Sequence, residues 1–234
     1  MADLRPVDVL ISAEDIQRRV AELAADIHRD FPDGVHLIAV LKGAFIFMAD
    51  LVRHLEGRVS LDFIAVSSYA KGTTSSGEVR MLKDLDYALD GKDVVIVEDI
   101  VDTGITLSYL KEILKARGPR NLRTACLLSK PSRRKVDVKV EYIGFTIEDR
   151  FVVGYGLDFD EQFRQLPYIG VMDAGLYANI HAKQERIAHG SGEKMRKVGA
   201  PGAHLGEVGL RRVAHPYPHP AVFFGNGIGA RAQV

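Results

Sequence analysis

The chain has 234 residues, 47% of them apolar and 26% charged, with 31 basic and 31 acidic side chains. This is ordinary globular usage, and it excludes wholesale disorder, a collagen-like repeat and a pervasively basic nucleic-acid binder. No apolar stretch approaches the ~20 residues that span a bilayer, and Met1-Ala-Asp-Leu-Arg-Pro6 has no signal-peptide core. The expectation is therefore a soluble cytoplasmic protein with no membrane partner.

Ser12-Ala-Glu-Asp15 predicts a helix start, with Ser12 as N-cap and two acids in the first turn where the dipole favours them. Ile16, Val20, Leu23 and Ile27 continue it at helical spacing until Phe31-Pro-Asp-Gly34. His36–Leu41 predicts a buried strand, Gly43–Leu55 a helix, and Leu61–Val66 and Asp93–Val97 two further strands. A polar, Gly/Ser-rich loop lies between Ser68-Tyr69 and Asp84. Thr103–Ala116 predicts a helix closed by Gly118-Pro119, followed by strands at Leu122–Leu128, Tyr142–Ile147 and Phe151–Tyr155. Buried strands alternating with helices argue an α/β fold with a mostly parallel sheet flanked by helices. Cys126, the only cysteine, lies in an apolar run and is expected to be a buried structural thiol.

From Lys183 onward eight Lys/Arg stand against three acids, and those 52 residues hold nine of the 22 glycines and four of the nine prolines. Little apolar periodicity survives there, so residues 1–182 are expected to form the domain and 183–234 a basic, mostly disordered tail. His215-Pro-Tyr-Pro-His219 lacks the partners of a structural zinc site. Residues 1–182 are net acidic, so no nucleic-acid partner is expected.

The sharpest signal is Val94-Val-Ile-Val-Glu-Asp-Ile-Val-Asp-Thr-Gly-Ile-Thr106. An apolar strand ends in Glu98 and Asp99, and Asp102-Thr-Gly-Ile-Thr106 opens a helix three residues later. Ligands in open α/β sheets sit outside the carboxyl ends of strands, and a helix start offers unpaired N–H groups to a phosphate. Carboxylates beside that cradle would repel a phosphate unless they bind Mg²⁺ or hydroxyls. A ligand with both phosphates and a diol fits, as phosphoribosyl groups do. Plain helix capping would account for Asp102 and Thr103 but not for Glu98-Asp99 at a buried strand end. No G-x-x-x-x-G-K-[ST] exists in the chain.

Glu98-Asp-Ile-Val-Asp-Thr-Gly-Ile-Thr106 resembles the ribose-phosphate signature of type I phosphoribosyltransferases. Leu41-Lys-Gly-Ala44, Ser67-Ser-Tyr69, Lys130 and Phe151-Val-Val-Gly-Tyr-Gly-Leu-Asp158 with Phe163-Arg164 resemble the hypoxanthine(-guanine) branch, in order and spacing. Ile105 departs from relatives that carry lysine there. The resemblance implies the type I phosphoribosyltransferase fold with a small hood and a flexible lid loop. It also implies transfer of ribose 5-phosphate from phosphoribosyl pyrophosphate to N9 of a 6-oxopurine, with Mg²⁺ as cofactor and a homo-oligomer, dimer or tetramer.

Residue by residue, the resemblance implies that Glu98 and Asp99 hold the ribose hydroxyls directly or through Mg²⁺. The loop Asp102, Thr103, Gly104, Ile105 and Thr106 would cradle the 5-phosphate, with Asp102 as general base/acid at purine N7. Lys42-Gly43 and Arg164 would bind pyrophosphate, Gly43 giving its loop conformational latitude. Lys130 would donate to the purine O6, Phe151 stack, Val152 offer backbone groups, and Asp158 join a second Mg²⁺ site. Ser68 and Tyr69 would begin the lid that shields an oxocarbenium-like intermediate from water. A phosphoribosyltransferase for another base and a non-catalytic regulator on the same fold are the rivals. Asp102, Lys130, Asp158 and Arg164 occurring together favour the enzyme.

Overall fold

The computed structural model describes residues 8–68 and 79–172. Its core is a six-stranded sheet in the order β4-β3-β2-β5-β6-β7. The strands are β2 (Val35–Leu41), β3 (Val59–Ser68), β4 (Val79–Lys83), β5 (Asp93–Val101), β6 (Asn121–Ser129) and β7 (Tyr142–Thr146). Only the β3–β4 pair is antiparallel; the other neighbours run parallel.

The apolar runs are continuous because both faces of the sheet are covered. On one face Ile16, Val20, Leu23 and Ile27 of α1 (Ala13–Asp30) and Phe47 and Leu51 of α2 (Phe45–His54) pack against Leu37, Ala39, Val95, Val97 and Leu127. On the other, Leu107, Leu110 and Leu114 of α3 (Ile105–Lys115) meet Ile38, Val40, Val94, Ile96 and Cys126. Alternate residues of one strand thus serve two cores. Truncating any of these leucines to alanine would cost about 2–5 kcal/mol. Ser12 caps α1 as expected, its side chain accepting from the Asp15 amide at 3.1 Å. Cys126 is fully buried, and burial pushes its thiol up to about 12.

A second, three-stranded antiparallel sheet of β1 (Asp8–Ile11), β9 (Ile169–Val171) and β8 (Val152–Val153) forms the small hood. The fold is the expected one, with several boundaries to correct. β5 does not end at Val97: its ladder continues through the carboxylates, pairing Glu98 with Cys126 and Val101 with Ser129. Backbone pairing is indifferent to the side chains it carries. α3 starts at Ile105, not Thr103, because Gly104, at φ 82°, is its N-cap. α2 likewise begins at Phe45 rather than Gly43. β4 occupies part of the stretch read as loop, and the strand expected at Phe151–Tyr155 is only Val152–Val153.

The chain leaves β2 toward β3 in one direction and returns to the other side of β2 as β5. The carboxyl ends of β2 and β5 therefore flank a topological switch point, where open α/β sheets bind ligands. No helix among the described residues is long and apolar enough to cross a membrane. The lid residues from Tyr69 to Glu78 and the tail expected over 183–234 lie outside the described residues, as does the boundary at 182.

Candidate active site

Near the carboxyl end of β5 stand two consecutive carboxylates, Glu98 buried and Asp99 half-buried. Glu98 is 6% exposed, and burial together with the neighbouring Asp99 charge holds its carboxyl well above the usual range. Asp99 accepts from the Ile100 amide at 2.8 Å, yet burial still raises it to about 6. Neither has an ion-pair partner among the described residues. Gly43 approaches Asp99 so closely that an added Cβ would lie 1.6 Å from its Oδ2. On its other side, an added Cβ at Gly156 would lie 2.1 Å from the Gly43 carbonyl oxygen. Glycine is required at 43 for space, then, and not for the conformational latitude expected from the sequence.

Beyond the carboxylates, Asp102, Thr103, Gly104 and Thr106 line a small cleft of about 100 Å³ with Glu98. Gly104, the α3 N-cap, has no side chain to cap the first turn, whose amides are the donors a helix start offers an anion. Thr103 Oγ1 accepts from the Ile105 amide at 3.4 Å. Asp102 does not cap the helix: its Oδ1 lies 3.3 Å from Arg133 Nε. The capping alternative therefore fails for Asp102 and survives only in part for Thr103.

Asp102 also lines a second cleft, of about 760 Å³, with Lys130, Arg133, Phe151, Val152 and Asp158. Lys130 is buried, and its ammonium donates to the Arg150 carbonyl at 2.6 Å and lies 3.7 Å from Asp149. Phe151 meets Phe159 edge to face, their centroids 5.8 Å apart. A third cleft of about 530 Å³ brings Lys42 and Arg164 together around Glu161. The Leu41–Lys42 peptide bond is cis. Lys42 Nζ pairs with Glu161 at 2.9 Å, while Arg164 donates to the Gly156 carbonyl at 2.7 Å and pairs with Asp158 at 2.8 Å. The buried Arg164 Nε has no hydrogen-bond partner among the described residues.

Two carboxylates on a strand, a small cleft at a helix start and a cleft with a buried lysine and an aromatic ring suit a ligand carrying phosphate, diol and planar base. A family model described as the phosphoribosyl transferase domain matches residues 10–160. The chain belongs to this family. Among its relatives, the hypoxanthine-guanine phosphoribosyltransferase of Bacillus subtilis is 50% identical over 170 residues, 72% of this chain and 94% of that protein. A crystal structure of a hypoxanthine-guanine phosphoribosyltransferase from Bacillus anthracis superposes with a TM-score of 0.70 at 48% identity, covering 72% of this chain and all of that one. The hypoxanthine phosphoribosyltransferase of Trypanosoma cruzi, studied for the role of its C-terminal region in oligomeric state and activity, gives 0.71 at 41% identity, covering 76% and 96%.

Within this phosphoribosyltransferase, most residues singled out from sequence converge on the three clefts. Glu98, Asp99 and Asp158 do not form one chelate: no cluster of three His, Cys, Asp or Glu suited to a metal occurs among the described residues. Two carboxylates without cations are nonetheless the donor chemistry of Mg²⁺, which keeps several waters and takes substrate oxygens. Ser68 ends β3, paired with Val79; Tyr69 lies outside the described residues. Sequence reasoning missed Glu161 and the pair Arg133-Arg134. The basic run Lys130-Pro-Ser-Arg-Arg-Lys135 was the available signal.

Proposed function

We propose that this chain transfers the 5-phosphoribosyl group from phosphoribosyl pyrophosphate to N9 of hypoxanthine or guanine, releasing pyrophosphate. The observation that carries the reading is the position of Asp102, on the wall of both the phosphate-sized cleft and the large cleft. In this reading the Asp102–Thr106 amides hold the 5-phosphate, and Asp102 takes a proton at purine N7. Lys130 donates to O6, Phe151 stacks on the base and Val152 offers backbone groups. Lys42, Gly43 and Arg164 receive the pyrophosphate, the unpartnered Arg164 Nε being one donor. Glu98 and Asp99 hold the ribose hydroxyls or Mg²⁺, with Asp158 assisting near the base; when bound, the ion supplies positive charge to the departing diphosphate. Developing positive charge on the ribose is stabilised by the same carboxylates.

The work is purine salvage in the cytoplasm. The acting form is a homo-oligomer, a reading supported by Phe45 standing 44% exposed at the start of α2 and by Leu61 and Leu82 on the neighbouring strands. The test supplies the purified chain with phosphoribosyl pyrophosphate, Mg²⁺ and each base in turn. Hypoxanthine and guanine are expected to turn over and adenine not, since an amino group at C6 would face the Lys130 cation with no acceptor. Excess EDTA is expected to abolish turnover. Comparable kcat/KM for adenine would overturn the purine assignment, and full activity in EDTA would overturn the metal's.

A further inference from the structure

We infer that Arg134 is a positioning residue that holds the phosphate-binding loop from behind. The inference rests on the proposed function of that loop and assigns a task to a residue outside all three clefts. A loop that turns its amides toward an anion must turn its carbonyls the other way, and those carbonyls need donors. In this chain they find them in one segment, residues 130–136. Arg134 donates through one nitrogen to the Val101 carbonyl and to the Asp102 carbonyl at 2.5 Å, and through the other to Ser129 Oγ at 3.0 Å. The Lys130 amide adds a second bond to the Val101 carbonyl at 3.0 Å. The Lys135 and Val136 amides donate to the Thr103 carbonyl at 2.9 and 3.2 Å. Gly104 sits so close to this backing that an added Cβ would lie 2.8 Å from the Val136 carbonyl.

The peptide units whose oxygens Arg134 holds are those whose N–H groups belong to Asp102 and Thr103. Both amides have no backbone partner among the described residues. A cation bound to a peptide oxygen polarises the whole amide, so the N–H on the far side becomes a better donor. Arg134 therefore acts on the phosphate twice, by fixing the direction of the loop dipoles and by strengthening them. Arginine is needed because a planar fork can bridge two carbonyls and a hydroxyl at once, where an ammonium is a point charge.

The experiment uses the full chain with Arg134→Met and Arg134→Lys, and titrates ribose 5-phosphate calorimetrically beside steady-state kinetics. Losing a charge-assisted hydrogen-bond pair should weaken ribose 5-phosphate binding about tenfold or more and raise the KM for phosphoribosyl pyrophosphate in step. The KM for hypoxanthine should stay within about twofold, and Arg134→Lys should fall between wild type and Arg134→Met. Leu114→Ala, buried in α3, serves as a variant of lowered stability that leaves ribose 5-phosphate affinity unchanged. Unchanged ribose 5-phosphate affinity in folded Arg134→Met, or an equal loss in Leu114→Ala, overturns the inference. If Arg134→Met does not fold, Arg134→Lys decides: a loss of about threefold or more supports it and wild-type affinity sinks it. A wild-type chain that binds no ribose 5-phosphate would instead overturn the proposed function of the loop.

Discussion

The half of the site proposed for the phosphoribosyl group comes from nine consecutive residues, Glu98 to Thr106, on one strand, one loop and one helix start. The half proposed for the purine is gathered from Lys130 after β6, the 149–152 stretch, Asp158 and the short hood strands. The first half hangs on β5, whose Val94–Val97 are fully buried and paired on both sides. The second draws on the hood, a sheet of three strands of two to four residues, and on residues outside any strand. A contiguous half placed by the core fails as a unit, while an assembled half can lose one contact and keep the rest. Local stability differs accordingly.

The sharpest way to break this comparison is Lys130→Met. It removes the buried donor at the Arg150 carbonyl and leaves the β5–α3 loop bonds intact, the Lys130 amide bond to the Val101 carbonyl included. Losing a charged hydrogen bond to the base should cut kcat/KM for hypoxanthine by about 10–10²-fold. Binding of phosphoribosyl pyrophosphate should change little. Calorimetric titration of each ligand checks this, and parallel losses in both would show that the two halves do not separate.

A second variant, Asp99→Asn, sharpens the comparison on the contiguous side. Burial raises the Asp99 carboxyl from 3.8 to about 6, so the folded, ligand-free protein carries a penalty for the ionised form. The penalty is fully present above about pH 6 and fades as pH falls toward the unfolded value, because the folded state then holds the proton. Asparagine keeps an oxygen for the Ile100 amide and has no charge to bury. In metal-free buffer at pH 8 the variant should melt higher, by roughly 2–4 °C per kcal/mol relieved, and the gap should narrow below about pH 6 and close only toward the unfolded value of 3.8. A gap independent of pH in scanning calorimetry would contradict the assignment. Activity should be lost in the same variant, a stability–function trade-off at a preorganised site.

The contiguous half was also the legible half. Val94-Val-Ile-Val97 reads as a strand because two-sided burial leaves no polar positions, and the acids after it stand out against that background. Its exact limits were not legible, since charged residues suggest a strand end while the ladder to β6 continues to Val101. β1, β4 and β9 escaped notice for a different reason. β1 exposes three of its four residues and β4 alternates between half-buried and exposed, so neither carries an apolar run. Their partners lie far off in sequence, as the Asp8–Val171 pair illustrates. Nothing in the sequence sets Arg134 apart within its basic run, and only the fold reveals that it turns onto the Val101 and Asp102 carbonyls.

Asp102 joins the two halves, and the account turns on whether its carboxylate does chemistry or merely holds shape. Asp102→Asn preserves size and hydrogen bonding, and no helix cap is lost because Gly104 is the N-cap. The variant cannot accept a proton from the purine. Measuring kcat together with the affinity for phosphoribosyl pyrophosphate decides the matter. The account predicts a kcat lower by roughly 10²–10⁴, the usual worth of a positioned acid–base group, with affinity little changed. An Asp102→Asn enzyme with kcat within about threefold of wild type, less than 1 kcal/mol of barrier, would contradict it and move the general base elsewhere.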